Sequence, residues 1–332
     1  MRTVRAAAGA CGLLLCLSSQ VLHPAPVAYS WIEPKAPQSL LLAVAHNNKR
    51  WVAVGERGHV LVSEDAEHWR QVRVPTRVLL TAVDINDAGL GFAVGHDATI
   101  IRTQDDGDTW TRVYHAPQKQ SPFLDVLIVD DRRVVAVGGY GLYAVSDDAG
   151  QSWRDRVLEP KNPEQTSGDE EQLPYDYHLN DIEIADSGRW YIAGEAGTVY
   201  RSEDRGATWT RLSTPYDGSF FGILPMSGDR LLVFGLQGRL FQSDDGGAQW
   251  TGIDTGTDST LSAGLRLDGD KALILGYGGV VLDRAEPDGN FVRTILGNRS
   301  AFSDGCVLDN GDLLTVGQGG IHRWSADRIK GR

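Results

Sequence analysis

The residues best suited to chemistry recur in one pattern, Ser/Thr-x-Asp-x-Gly-x-x-Trp. Complete copies are Thr103/Asp105/Gly107/Trp110, Ser146/Asp148/Gly150/Trp153, Ser202/Asp204/Gly206/Trp209 and Ser243/Asp245/Gly247/Trp250. A shorter first copy is Ser63/Asp65/Trp69 with Glu67 near the glycine place, and a degraded sixth keeps Asp288, Gly289 and Phe291. Clustered oxygens beside a glycine suggest a calcium loop. Such a loop needs more oxygen ligands and a terminal Glu at fixed spacing, which these copies lack. The same residue types suit a tight hairpin. Asp and Ser side chains hydrogen-bond the turn backbone, Gly accepts a positive φ, and Trp covers the turn with a large apolar face. The pattern is therefore read as structural, with no metal and no cofactor.

The elements that carry these turns form a repeat. Each unit has an apolar strand, then a second strand ending in glycine, a short turn, a third strand and the acidic turn. The marker glycines are Gly55, Gly95, Gly138, Gly194, Gly235, Gly276 and Gly317, spaced by 40, 43, 56, 41, 41 and 41 residues. Short alternating or wholly apolar runs separated by turns read as strands, and no helical period is present. Four short strands, A to D, in about 41 residues are the signature of a propeller blade. The fold expected is all-β: a seven-bladed β-propeller with four-stranded blades, built as one domain over residues 29–332. The last unit stops without its Trp or strand D, so Trp31 and residues 29–35 are expected to close the ring as the missing strand of the last blade. The long spacing places an insert loop at about residues 158–177, rich in Pro, Glu, Gln and Asp.

Residues 1–28 read as a signal peptide, with Arg2 and Arg5 before the short apolar run 6–17. The mature chain is then periplasmic, without membrane insertion. A lipoprotein form on Cys11 or Cys16 ranks below soluble export, because neither is preceded by the usual run and small residue. Cys306 is the remaining cysteine of the mature chain and reads as a small apolar residue on a strand. The 32 Lys and Arg against 44 Asp and Glu give a net charge of −12, and loss of the leader makes it −14. That balance disfavours nucleic acid and anionic membranes as partners.

In a propeller the central channel and the face bearing the B–C and D–A loops usually hold ligands, with the acidic C–D turns opposite. Topology then puts Arg57, His59, His96, Asp97, Tyr140, Glu195, Gln237, Arg239, Tyr277 and Gln318 on B–C loops, and Tyr216 and Asp217 on a D–A loop. These are the candidate binding residues, and none is assigned as catalytic.

The export signal, the seven units and stretches such as VAVGERGHVLVSED (52–65), FAVGHDATIIRTQDDGDTW (92–110) and YIAGEAGTVYRSEDRGATW (191–209) resemble the photosystem II stability/assembly factor family of Asp-box propellers, in its bacterial exported branch. The resemblance implies a non-enzymatic scaffold that binds a protein partner and assists assembly or stability of a membrane-associated complex, as a monomer. The alternative is an exported sialidase-like glycoside hydrolase or a carbohydrate-binding propeller. Sialidase chemistry needs three arginines, a Tyr with a Glu partner and an Asp acid. The residues exist here, but the Phe-Arg-Ile-Pro segment typical of those enzymes does not.

Overall fold

The computed structural model describes residues 27–158, 177–297 and 299–329. Its strands form seven separate antiparallel sheets arranged as the blades of a β-propeller. The A strands are Leu41–His46, Leu80–Ile85, Phe123–Ile128, Leu179–Ile184, Phe220–Pro225, Leu261–Leu267 and Phe302–Val307. They line the central channel. Strand B of each blade is almost wholly buried, because both of its faces meet neighbouring sheets. This is why runs such as WVAVG, VVAVG and LLVFG are continuously apolar instead of alternating. The apolar core is divided into clusters between successive blades. One of them joins blade seven to blade one through Leu314, Val316, Leu41 and Ala53.

Six blades have four strands, whereas the seventh has three among the described residues, Phe302–Val307, Leu313–Gly317 and Gly320–Trp324. The expected closure by residues 29–35 is corrected accordingly. That segment runs along the outer flank of blade one. The Ser30 N–H donates to the Val74 carbonyl at 2.9 Å, Gln71 bridges Trp31 and Glu33, and the Arg77 guanidinium lies 3.9 Å from the Trp31 ring centre. The main-chain bond of Ser30, the Gln71 amide and a stacked cation hold Trp31 there. Only the chain just behind it reaches blade seven, where the Pro37 carbonyl backs onto Gly320. The ring therefore closes by packing of blade seven on blade one.

Each A–B ladder carries a register shift at the second residue of strand A, opposite the marker glycine. A bulge of this kind redirects a side chain and bends the strand. The glycine is required by space: a Cβ at Gly95 would stand 2.1 Å from the Leu79 carbonyl oxygen, and one at Gly55, Gly138, Gly235 or Gly317 would be equally crowded by the preceding loop. Gly95→Ala should cost about 3 kcal/mol through backbone displacement. Gly188→Ala, whose Cβ would meet nothing within 4 Å at φ +80°, should cost only about 1 kcal/mol of backbone strain. Denaturant melts of the two variants check the difference.

The candidate functional site: channel and loop face

The acidic turns come first, because they fix one face of the disc. In blades two to five the hydroxyls of Thr103, Ser146, Ser202 and Ser243 donate to Oδ1 of Asp105, Asp148, Asp204 and Asp245 at 2.8–2.9 Å. The same hydroxyls accept the N–H of Gly107, Gly150, Gly206 and Gly247 at 2.8–3.0 Å. Each Asp Oδ1 also accepts the N–H four residues on, from Thr109, Ser152, Thr208 and Gln249. Asp148 is held down to about 2 by the Ser152 hydroxyl and amide. In the first copy, which begins with Ser63, the N–H and ring of His68 hold Asp65 well below the usual carboxylate range. Asp105, Asp204 and Asp245 are exposed at the rim, but the oxygens a cation would need are engaged by the turn itself. Ion pairs such as Arg205–Asp130, Arg189–Asp229 and Arg323–Glu67 link neighbouring blades on this side.

The reading of the turn as a purely local device is corrected for its glycine and its tryptophan. Both are pressed into the seam with the preceding blade. Gly107, Gly150, Gly206 and Gly247 are buried. A Cβ at Gly107 would stand 3.2 Å from Val62, at Gly150 2.2 Å from the Phe92 ring, at Gly206 2.7 Å from the Tyr143 hydroxyl, and at Gly247 2.4 Å from Leu212. The Tyr143 hydroxyl donates to the Gly206 carbonyl at 3.1 Å across that seam. Trp110 and Trp209 are buried members of inter-blade core clusters, whereas Trp153, Trp250 and Trp69 are part-buried and pack against such clusters from the rim. Trp110 and Trp69 also donate their indole N–H to the turn carbonyls of Gly107 and Ala66. The physical reason is area: an indole is too large for its own hairpin to bury, so it covers the turn with one part and the adjoining blade with the rest.

The channel brings together residues that the loop-based reading did not name. Asp84, Asp125, Asp181, Glu183 and Asp304 project from four A strands into a cavity of about 380 Å³. Each aspartate reaches the neighbouring blade. Asp84 Oδ2 accepts the Ile128 N–H at 2.7 Å, Asp125 Oδ2 the Ile182 N–H at 2.9 Å, Asp181 Oδ2 the Ile223 N–H at 2.7 Å, and Asp304 Oδ2 the Val44 N–H at 2.9 Å. The bulged residues Thr81, Asn180 and Ser262 add bonds to the carbonyls of Phe123, Phe220 and Phe302. Burial raises all five carboxyls. Glu183 is pushed up to about 8 and Asp304 to about 6. The available signal in the sequence was an acid inside an otherwise apolar A strand: LTAVDI, FLDVLI, LNDIEI and FSDGCV. Cys306, behind Asp304, packs among apolar neighbours, and burial pushes its thiol up.

On the opposite face the B–C turns share a left-handed tip: Arg57, Asp97, Tyr140, Ala196 and Gln237 all have φ between 53° and 57°. Most of the loop candidates are exposed there, but on separate blades. Arg57 pairs with Glu33 at 3.3 Å. Tyr140, 65% exposed, meets the His178 ring at 4.8 Å, and Glu195 accepts the His178 N–H at 3.3 Å. Gln237 and Arg239 line a groove of about 330 Å³ with Asp254 and Thr257. Tyr216 packs on Phe220 and Phe241, with its hydroxyl on the Leu236 carbonyl. His96 and Asp97, neighbours on one turn, and Asp217, Tyr277 and Gln318 are exposed at the surface. His59 is a correction. It is 1% exposed because it leads directly into strand C, which starts at Val60, and faces inward, so it is unavailable to a ligand. The insert residues 159–176 and the leader residues 1–26 lie outside the described residues. No described helix is long and apolar enough to cross a membrane.

Seven radial sheets with acidic hairpin turns define the molecule as a seven-bladed β-propeller. The family model of the photosynthesis system II assembly factor YCF48 matches residues 61–168. A curated relative, the photosystem II assembly lipoprotein Ycf48 of Synechococcus sp. (strain CC9902), is 29% identical over 152 residues, which are 46% of this chain and 42% of that protein. The match thus spans less than half of the relative's length. Among solved structures, YCF48 bound to D1 peptide has a TM-score of 0.68 at 14% identity, covering 91% of this chain and 98% of that one. YCF48 from Cyanidioschyzon merolae has 0.68 at 13%, with coverage of 90% and 99%. A streptogramin B lyase has 0.73 at 11%, with coverage of 90% and 97%. The structural likenesses carry the fold, and over part of its length the chain is similar in sequence to photosystem II assembly factors.

Asp304 supplies the carboxyl stitch between the last blade and the first. At pH 5, below its value of about 6, it is neutral. Asp304→Ala at that pH then reads the lost hydrogen bond without the cost of a buried charge. It should cost about 1–3 kcal/mol, because the Val44 N–H is left without its acceptor. Calorimetry, with hydrogen exchange at Val44, checks this.

Proposed function

We propose that this chain is an exported, non-catalytic propeller whose B–C and D–A loop face binds a protein partner and assists assembly or stability of a membrane-associated complex. The observation that carries this reading is the sequence match to a photosystem II assembly factor, in a chain whose fold resembles that of a YCF48 bound to a peptide. The loop face supports it. Tyr140, Leu236 and Tyr277 place exposed apolar surface on the tips of three blades, beside Arg239 and Gln237. Rigid aromatic and arginine anchors of this kind concentrate binding energy in protein interfaces.

A glycosidase is favoured by one observation, the converging channel carboxyls with raised values. Their geometry argues against it. Asp84, Asp125, Asp181 and Asp304 each accept a main-chain N–H of the next blade, so they fasten the ring instead of standing ready beside a substrate. Arg57 and Arg239, on blades one and five, form no joint clamp for a carboxylate. Export rests on the reading of residues 1–28. The relative named a lipoprotein makes Cys11 and Cys16 the residues to inspect, and mass spectrometry of the mature chain decides between a cleaved soluble form and an acylated one.

The test is affinity capture from detergent-solubilised envelope membranes, with wild type beside a Tyr140→Ala/Tyr277→Ala/Arg239→Ala variant. A defined membrane-protein partner should be recovered, with affinity falling at least about ten-fold in the variant, the equivalent of 1.4 kcal/mol, and an unchanged melting temperature. Equal recovery by both proteins overturns the loop-face assignment. Turnover of sialosides or glucosides, abolished by one carboxylate substitution, overturns the scaffold.

A further inference from the structure

Asp125 and Asp181 line the same channel cavity from adjacent blades, and Asp125 Oδ2 accepts, at 2.9 Å, the N–H of Ile182, the residue that follows Asp181. Like charges crowded in one desolvated cavity disfavour ionisation of every member, and burial raises both carboxyls above the ordinary range. The two come from adjacent blades, and each is also engaged with a main-chain amide beyond its own blade. Asp125 accepts the Ile182 N–H of blade four, and Asp181 the Ile223 N–H of blade five. Glu183 lies two residues from Asp181, on the same face of strand A.

Among the described residues lining the cavity there is no Lys, Arg or His to offset this cluster. The remaining channel acids are Asp84 on blade two and Asp304 on blade seven. The B strands of blades two, three and four and the A strand of blade five, which pack against the two acid-bearing strands, read GFAVG, VVAVG, WYIAG and FFGILP. They contain no Lys, Arg, His, Asp or Glu. Their one tyrosine, Tyr191, has its hydroxyl by the Gly246 carbonyl. The nearby B–C turn of blade three adds Tyr140, whose ring packs on His178.

We propose that the channel is a pH-sensitive fastener: a proton held by the Asp125 and Asp181 pair, with Glu183 protonated beside it, ties blades three, four and five together, and its loss at alkaline pH loosens that arc of the ring. The direction follows from proton binding. The folded chain keeps protons on these groups at pH values where the unfolded chain, with ordinary carboxyls, has released them. Stability therefore falls as pH rises from the ordinary carboxyl range through about 8, the value for Glu183. The acidic turns work in a separate window. Asp148, held down to about 2, contributes stability that is lost only on acidification below the ordinary carboxyl range.

The experiment follows thermal unfolding and amide exchange of the full chain from pH 5 to pH 9, for wild type and Glu183→Gln. The expected result is a wild-type melting temperature that falls between pH 6 and pH 8. The Ile182 and Ile223 amides should lose at least ten-fold protection, after correction for intrinsic exchange, relative to those of strand B in blade one. Glu183→Gln should raise the melting temperature at pH 8, leave it unchanged at pH 5 and flatten the slope. An unaltered slope in this variant, or Ile182 and Ile223 protection that tracks blade one, overturns the proposal. Infrared spectroscopy of the wild type reads the same proton without a substitution. A buried carboxylic-acid carbonyl band should be present at pH 6 and lost by pH 9; its absence at pH 6 overturns the proposal even if Glu183→Gln does not fold.

Discussion

The constraint on which the ring depends is the fate of the amides on its innermost strands. Strand A is the edge of every sheet, and its outward N–H groups face a narrow channel instead of another strand. A buried amide without an acceptor costs free energy comparable to a lost hydrogen bond. The chain meets this cost at four junctions by planting a carboxyl on one blade and aiming it at a main-chain N–H of the next. Asp84, Asp125, Asp181 and Asp304 accept from Ile128, Ile182, Ile223 and Val44. In blades two, four and six the bulge opposite the marker glycine places Thr81, Asn180 and Ser262 so that a local irregularity becomes an inter-blade bond.

The two faces of the disc have different work. Acidic turns, with their oxygens used internally and their arginines paired across blades, make the C–D side a self-satisfied rim. The opposite face carries left-handed tips whose side chains have few internal partners. Tyr140 and Gln237 sit on tight turns that the glycine after them anchors, so they can vary in chemistry while the backbone beneath stays fixed. The placement of candidate contacts thus follows from which loops the blade leaves unoccupied.

Much of this was legible in the sequence, for stated reasons. A 41-residue period, wholly apolar B strands and recurring glycines reflect constraints met in every blade, so blade number and the location of the loop face follow directly. The acidic turn was readable because its Ser and Asp hydrogen bonds are local. The rest depended on contacts distant in sequence. Gly150 and Trp153 belong to that turn by spacing, yet what crowds them is Phe92 of the blade before. His59 looks like a loop residue until strand C begins one residue later and turns it inward. Trp31 matches the missing aromatic by spacing, yet Arg77 over its ring and the Gln71 side chain on its carbonyl hold it against blade one. Asp125 and Asp181 are 56 residues apart, and no local pattern shows that one can reach the other's strand. Five acids in apolar strands were visible, but their common destination was not.

Closure by packing, with Leu314 and Val316 set against Leu41 and Ala53, has a topological consequence. A propeller latched by a shared blade has one seam that differs in kind from its other junctions. Here the junction between last and first blades uses apolar contacts like the other seams and the same carboxyl-to-amide bond that joins blades two to three, three to four and four to five. The order in which the chain visits the blades is therefore separable from the architecture, and circular permutants opened at any connecting loop would retain the same interfaces.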